Sequence, residues 1–179
     1  MHRYVLQEKL NAYHSVFEKE RVFKTQILKF MNENKNCFER SLAIGHITAS
    51  CWLLNKDHSA ALMLHHAKLN QWFQLGGHCD GNSDTLAVAI QEAAEESGIV
   101  GIKPVSEDIF DIDIHLIPDN PREKAHFHYD VRYLLHVVTD EQPVQNSESK
   151  ELRWINKIPS ELPTKNFSVV RMFTKWINL

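Results

Sequence analysis

Cysteine is scarce in this 179-residue chain, with Cys37, Cys51 and Cys79 the only three. So few, at irregular spacing, exclude a disulfide framework and a Cys-x-x-Cys zinc site, and they predict reduced thiols in a cytoplasmic setting. Glycine and proline number six each, and no internal repeat or low-complexity segment interrupts the chain. Long apolar runs are missing too. The opening stretch MHRYVLQEKLNAYHSVFEKERVF carries a charge every few residues, so neither a signal peptide nor a membrane span is expected. Nor is there an excess of positive charge: 20 Lys and Arg face 23 Asp and Glu, which argues against a nucleic-acid polymer as partner. What the chain has in quantity is histidine. Eleven protonated histidines would turn a net charge of −3 into +8, so the sign of the charge depends on how they are used. With 43% hydrophobic residues, a chain of this length buries about 70% of its unfolded surface, which suits one domain spanning 1–179.

Apolar residues at helical spacing run through 2–34 (Val5, Leu6, Leu10, Phe17, Phe23, Ile27, Phe30, Met31) and predict two helices or one bent one. This makes 1–44 a helical extension ahead of a core at 45–179, a segment suited to covering a cleft or to forming a homodimer interface. From Gly45 the period changes to two. The runs at 46–54 and 59–66, joined by Asn55-Lys56-Asp57, predict a β-hairpin. A helix is expected over Asp84 to Ser97, stopped by Gly98 in a left-handed C-cap. Strands are expected at 108–117, 125–138 and 151–155, and a closing helix at 167–177. Strands that come as hairpins between helices fit an α/β fold with a mixed sheet better than a doubly wound parallel one.

The segment LGGHCDGNSDTLAVAIQEAAEESGI (75–99) carries the chemistry. On a helix, Leu86, Ala89, Ile90 and Ala93 share one side, and Glu92, Glu95 and Glu96 share the other. Three carboxylates at i, i+3 and i+4 repel one another. A hard divalent cation turns that repulsion into coordination; without one the same residues make a solvated acidic face. Gly76 and Gly77, just before the helix, suit a tight loop that brings backbone close to a ligand.

This segment resembles the Nudix box, with Gly77, Glu92, Glu95, Glu96, Gly98 and Ile99 all in register. Two positions depart from it: Ser83 and Gln91 stand where the family has a Glu and an Arg that brace the loop against the helix. A Ser83–Gln91 hydrogen bond is a weaker substitute, and Asp84 is one residue out of register. The resemblance implies a Nudix α/β/α sandwich with mixed sheet plus the N-terminal helical extension. It also implies Mg²⁺ or Mn²⁺ on Glu92, Glu95, Glu96 and the Gly76 carbonyl, with a carboxylate such as Glu92 or Glu96 taking a proton from water. The implied activity is hydrolysis of a small-molecule phosphoanhydride of the nucleoside diphosphate-X type, with Gly76, Gly77 and Trp72 against the substrate.

In HFHYDVRY, alternation puts His126, His128, Asp130 and Arg132 on one face of a strand. Together with His46 and His78 this pattern resembles the isopentenyl-diphosphate isomerase branch of the superfamily. That resemblance implies a second divalent metal (Zn²⁺, Mn²⁺ or Fe²⁺) on His46, His78, His128 and Asp130. The isomerase activity itself fits less well, because Gly76 stands where that branch has its loop cysteine. A third reading is a catalytically weak Nudix domain that binds a nucleotide, suggested by Ser83 and Gln91. His65-His66 is expected at the surface, and Trp52, Trp154 and Trp176 in or beside the core. Arg122 and Lys124 are expected in a solvated loop.

Overall fold

A computed structural model describes residues 3–119 and 124–179. The elements in chain order are α1 (Tyr4–Ala12), α2 (Glu18–Glu33), β1 (Gly45–Leu54), β2 (Ala60–His66), β3 (Trp72–Phe73), β4 (Leu75–His78), α3 (Thr85–Ser97), β5 (Ile102–Ile117), β6 (His126–Val137), β7 (Ser149–Asn156), a short 3₁₀ turn at Pro159–Glu161 and α4 (Phe167–Ile177). The fold is α/β with a mixed sheet, preceded by helices, as the sequence implied. Arg122 lies outside the described residues. Lys124 is exposed and faces Asp119 at 3.9 Å.

β1 is the axis of the sheet. All ten of its residues are buried, because it pairs in parallel with β6 on one side and antiparallel with β4 on the other. Its alternation therefore sorts side chains between two packed faces. Ile47, Ala49, Cys51 and Leu53 enter a core shared with α1, α2 and α3, where Phe30 of α2 stacks on Tyr129 at 3.9 Å. Trp52 and Leu54 enter a second core with Val169, Met172, Phe173 and Trp176 of α4.

The predicted hairpin is present but short. The turn exists, but β1 and β2 pair only at Leu54↔Ala61. β2 then leaves to pair with β3 and β7, within one seven-stranded sheet of order β3-β2-β1-β6-β5. A period of two identifies a strand and says nothing about its partner. β5 begins at Ile102, six residues before the expected start. Pro104 and a register shift between Pro104 and Ile109 disguise this stretch, and both are tolerated on an edge strand. Gly76 and Gly77 are in strand β4, not in a loop, and β3 was not expected at all.

A buried ionic network ties the helices to the sheet. Glu20 of α2 is fully buried and accepts from the Tyr13 hydroxyl at 2.6 Å, the Ile112 amide at 3.2 Å and Lys175 at 2.6 Å. Asp111 accepts from Arg171 (2.7 and 2.9 Å), Arg132 (3.1 Å) and Lys175 (2.8 Å). Removing one member of such a set leaves a buried charge uncompensated, at a cost of about 3–5 kcal/mol.

Candidate active site and metal centres

The helix α3 forms where its local signals are strongest. Asp84 caps it by accepting from the Ala87 amide at 3.0 Å, and Gly98 ends it in the left-handed region at φ 69°. Val88, Ala89 and Ala93 bury the apolar side, which turns the helix so that Glu92 and Glu96 meet β4.

β4 admits them because it carries glycines. Gly76 stands opposite Ser50, and a Cβ there would lie 2.4 Å from the Ser50 side chain on a backbone at φ 153°. A Cβ on Gly77 would lie 2.4 Å from a carboxylate oxygen of Glu92; the glutamate occupies the space that a larger residue would fill. Glu96 accepts from the Gly76 amide at 2.8 Å. Glu95 is exposed and accepts from Gln91 at 2.8 Å. The Gln91 amide thus turns along the helix to Glu95 rather than to Ser83, and Asp84 serves as the helix cap.

Burial pushes the Glu92 carboxyl up to about 7, helped by the charges of Glu95, Glu148 and Asp80. Burial likewise pushes Glu96 up to about 8, opposed by the Gly76 amide and reinforced by Glu92 and Glu148. A half-buried and a buried carboxylate whose proton affinity is raised towards neutrality form a donor set of hard oxygens short of positive charge, which fits a divalent cation. Reasoning from sequence missed Glu148, which comes from the polar stretch before β7, and the Arg40–Asp80 pair. In that pair the Arg40 guanidinium forks onto both carboxylate oxygens at 2.5 Å beside the loop into α3.

The histidines come together as the alternation suggested. β1 and β6 set His46 opposite His128, and β4 brings His78 opposite Thr48, two residues along β1. One nitrogen of each of His46, His78 and His128 lies within 4.8 Å of the other two. His46 is 2% exposed, yet neither of its ring nitrogens has a hydrogen-bond partner among the described residues. Burial, then the neighbouring imidazoles, hold His46 down to about 4 and His128 down to about 2. Neutral rings of this kind offer lone pairs to a metal ion. His126 is also buried, with its ring centroid 5.1 Å from those of both His46 and His128.

Asp130 is turned elsewhere. Its carboxylate accepts from Thr48 (2.9 Å), Ser50 (2.6 Å) and Arg132 (2.7 Å), which places it in the ionic network beside the imidazoles. Trp72 is half-buried on β3, stacked on His65 at 4.9 Å with the Arg153 guanidinium 4.6 Å from its ring. His65 and His66 are half-buried rather than fully at the surface. Trp52 and Trp176 are core residues, and the half-buried Trp154 donates to the Glu141 carbonyl at 3.1 Å. A groove of about 480 Å³ between α1, β5 and α4 is lined by none of the glutamates or clustered histidines described above. Among the described residues no helix is long and apolar enough to cross a membrane.

No curated protein sequence matches the chain. Among solved structures, a C. elegans Ap4A hydrolase is similar, at 16% identity over 73% of this chain and 93% of that one, with a TM-score of 0.58. The MutT protein of Methanosarcina mazei Go1 is similar at 17% identity over 76% and 96%, with a TM-score of 0.56. The E. coli dihydroneopterin triphosphate pyrophosphohydrolase is similar at 15% identity over 74% and 94%, with a TM-score of 0.55. At such identities these likenesses speak for the fold. Residues 45–173 match the NUDIX domain, a span that takes in β1, the glycine strand, the carboxylate helix and the first seven of the eleven residues of α4, and the chain belongs to the Nudix family.

Proposed function

We propose that the protein is a divalent-metal-dependent hydrolase that cleaves the phosphoanhydride bond of a small nucleoside diphosphate-X type substrate. The observation that carries this reading is the seating of Glu92 and Glu96 against Gly77 and Gly76, with both carboxyls raised towards neutral pH. Glu92, Glu95, Glu96 and the Gly76 carbonyl would hold Mg²⁺ or Mn²⁺. The cation, when bound, neutralises the diphosphate and acidifies a water molecule. Glu92 or Glu96 accepts the proton of the attacking water, a role suited to a carboxyl whose affinity for protons is close to the working pH. The Gly76–Gly77 backbone and Trp72 line the approach of the substrate. Residues 1–44 belong to the same domain as an extension, held by Glu20 in the network with Lys175.

A second divalent ion is proposed on His46, His78 and His128, supported by the two unpartnered nitrogens of His46. A second reading of the whole, a nucleotide-binding domain with weak catalysis, draws support from Gln91 being bonded to Glu95 instead of bracing the loop at Ser83. One panel separates the two. Nucleoside and isoprenoid diphosphates are offered with Mg²⁺ or Mn²⁺ to the wild type and to Glu96→Gln. Turnover by the wild type that Glu96→Gln abolishes supports hydrolysis. Binding without turnover by either protein supports the second reading.

A further inference from the structure

We infer that the imidazole centre takes a fourth imidazole, His126, and not the Asp130 carboxylate, which makes it an all-nitrogen site for a borderline ion of the Zn²⁺ class. This rests on the proposed ion at His46, His78 and His128 and specifies its ligand set.

The hydrogen bonds of His126 fix its tautomer. Its Nδ1 lies 2.7 Å from the Lys124 carbonyl oxygen. A carbonyl only accepts, so Nδ1 carries the proton, and the lone pair of the neutral ring sits on Nε2. A ring N–H given to a backbone carbonyl is the way a metal-binding imidazole is held in tautomer and orientation. The Nε2 so exposed lies 3.2 Å from Nε2 of His128, at the edge of the group that His46, His78 and His128 form. Two nitrogens each 2.0–2.1 Å from a tetrahedral ion stand about 3.3 Å apart. His126 is 6% exposed, so no solvent competes for that lone pair.

Asp130 is the weaker candidate on the same grounds. Both of its oxygens are already used by hydroxyls and by the Arg132 guanidinium. Moving it to an ion would break its 2.7 Å bond to Arg132, which is 1% exposed and would be left to Asp111 and Asp113. Four imidazoles from β1, β4 and β6 leave no open position, and closed sites of this sort are structural. The ion therefore cross-links β4 to the centre of the sheet, two residues from the glycine that holds Glu96.

The test loads metal-free full-length protein with Co²⁺, read by its visible absorption, and with Zn²⁺, read by competition. Wild type is expected to give the intense bands of a tetrahedral site, lost in His46→Ala and retained in Glu96→Gln. His126→Ala is expected to weaken binding by about 10–100-fold or more, and Asp130→Asn by less than about twofold. X-ray absorption of the Zn²⁺-loaded wild type, which depends on no variant folding, is expected to count four imidazoles. Three imidazoles and an oxygen, or full affinity in His126→Ala, would overturn the fourth-ligand assignment and leave the centre standing. If Co²⁺ gives no band that His46→Ala removes, the histidine centre itself falls.

Discussion

The carboxylate centre and the imidazole centre share strand β4, two residues apart, and are built in opposite ways. At Gly76 and Gly77 the strand has no side chains, and α3 supplies the chemistry from outside: Glu92 and Glu96 press into space that a Cβ would fill. At His78 the strand supplies the ligand itself, and β1 and β6 supply the others from within the sheet. The first centre has excess negative charge and binds protons when no cation is present. In the second, burial and the neighbouring rings oppose protonation of His46 and His128. On the reading proposed above, a single short strand would separate a site for a hard, exchangeable cation from one for a borderline, retained cation.

The comparison breaks most visibly at Glu96. Glu96→Gln is expected to lower Mg²⁺-dependent turnover by about 10²–10⁴-fold, while zinc content measured by elemental analysis stays at the wild-type value. The two glycines differ next. Gly76→Ala forces a Cβ into the Ser50 backbone and side chain on a strained φ; it is expected to cost about 2–4 kcal/mol in urea unfolding and to impair both centres. Gly77→Ala meets only the movable end of Glu92. It is expected to cost less than about 1 kcal/mol while weakening Mn²⁺ binding about tenfold, so stability and affinity part company at adjacent residues.

The smallest effect expected is in pH dependence of the metal-free protein. Glu92 and Glu96 have folded values above the ordinary 4.5, so the native state holds protons that the unfolded chain has released. Their contribution is complete below about pH 4.5 and is lost as the pH rises through 7 to 8. His46 has a folded value near 4, below the ordinary 6.5. Its contribution is present above pH 6.5 and is lost as the pH falls towards 4. Thermal melts between pH 4 and 8.5 are expected to show opposing slopes. Glu96→Gln flattens the decline on the alkaline side, and His46→Ala flattens the decline on the acid side.

How much of this was legible in the sequence follows the range of the interaction involved. α3 was readable end to end because Asp84, the side formed by Leu86, Ala89, Ile90 and Ala93, and Gly98 are all local signals; the structure adds Val88 to the buried face. The partner of β1 was not, because the Asn55–Asp57 turn reports that the chain reverses and not which strands then pair. The start of β5 was hidden by Pro104, which an edge position permits. Alternation correctly put His126, His128, Asp130 and Arg132 on one face. It did not distinguish a carboxylate committed to Thr48, Ser50 and Arg132 from an imidazole aimed at its neighbours, since that depends on contacts 80 residues away. Nothing local in the sequence sets Glu20, Arg171 and Lys175 apart from other helix charges; their network arises only when α2 and α4 meet β5. The interaction expected between Ser83 and Gln91 gave way to one available within the helix, at i+4.

The most direct test of the account is an Mn²⁺ titration followed by electron paramagnetic resonance, with the histidine site first filled with Zn²⁺. Wild type is expected to retain a saturable Mn²⁺ site that Glu96→Gln loses and Gln91→Ala keeps, because the carboxylates hold the ion and Gln91 touches only Glu95 among them. Undiminished Mn²⁺ binding in Glu96→Gln would contradict the claim that the α3 carboxylates, seated on the glycine strand, are the cation site of this protein.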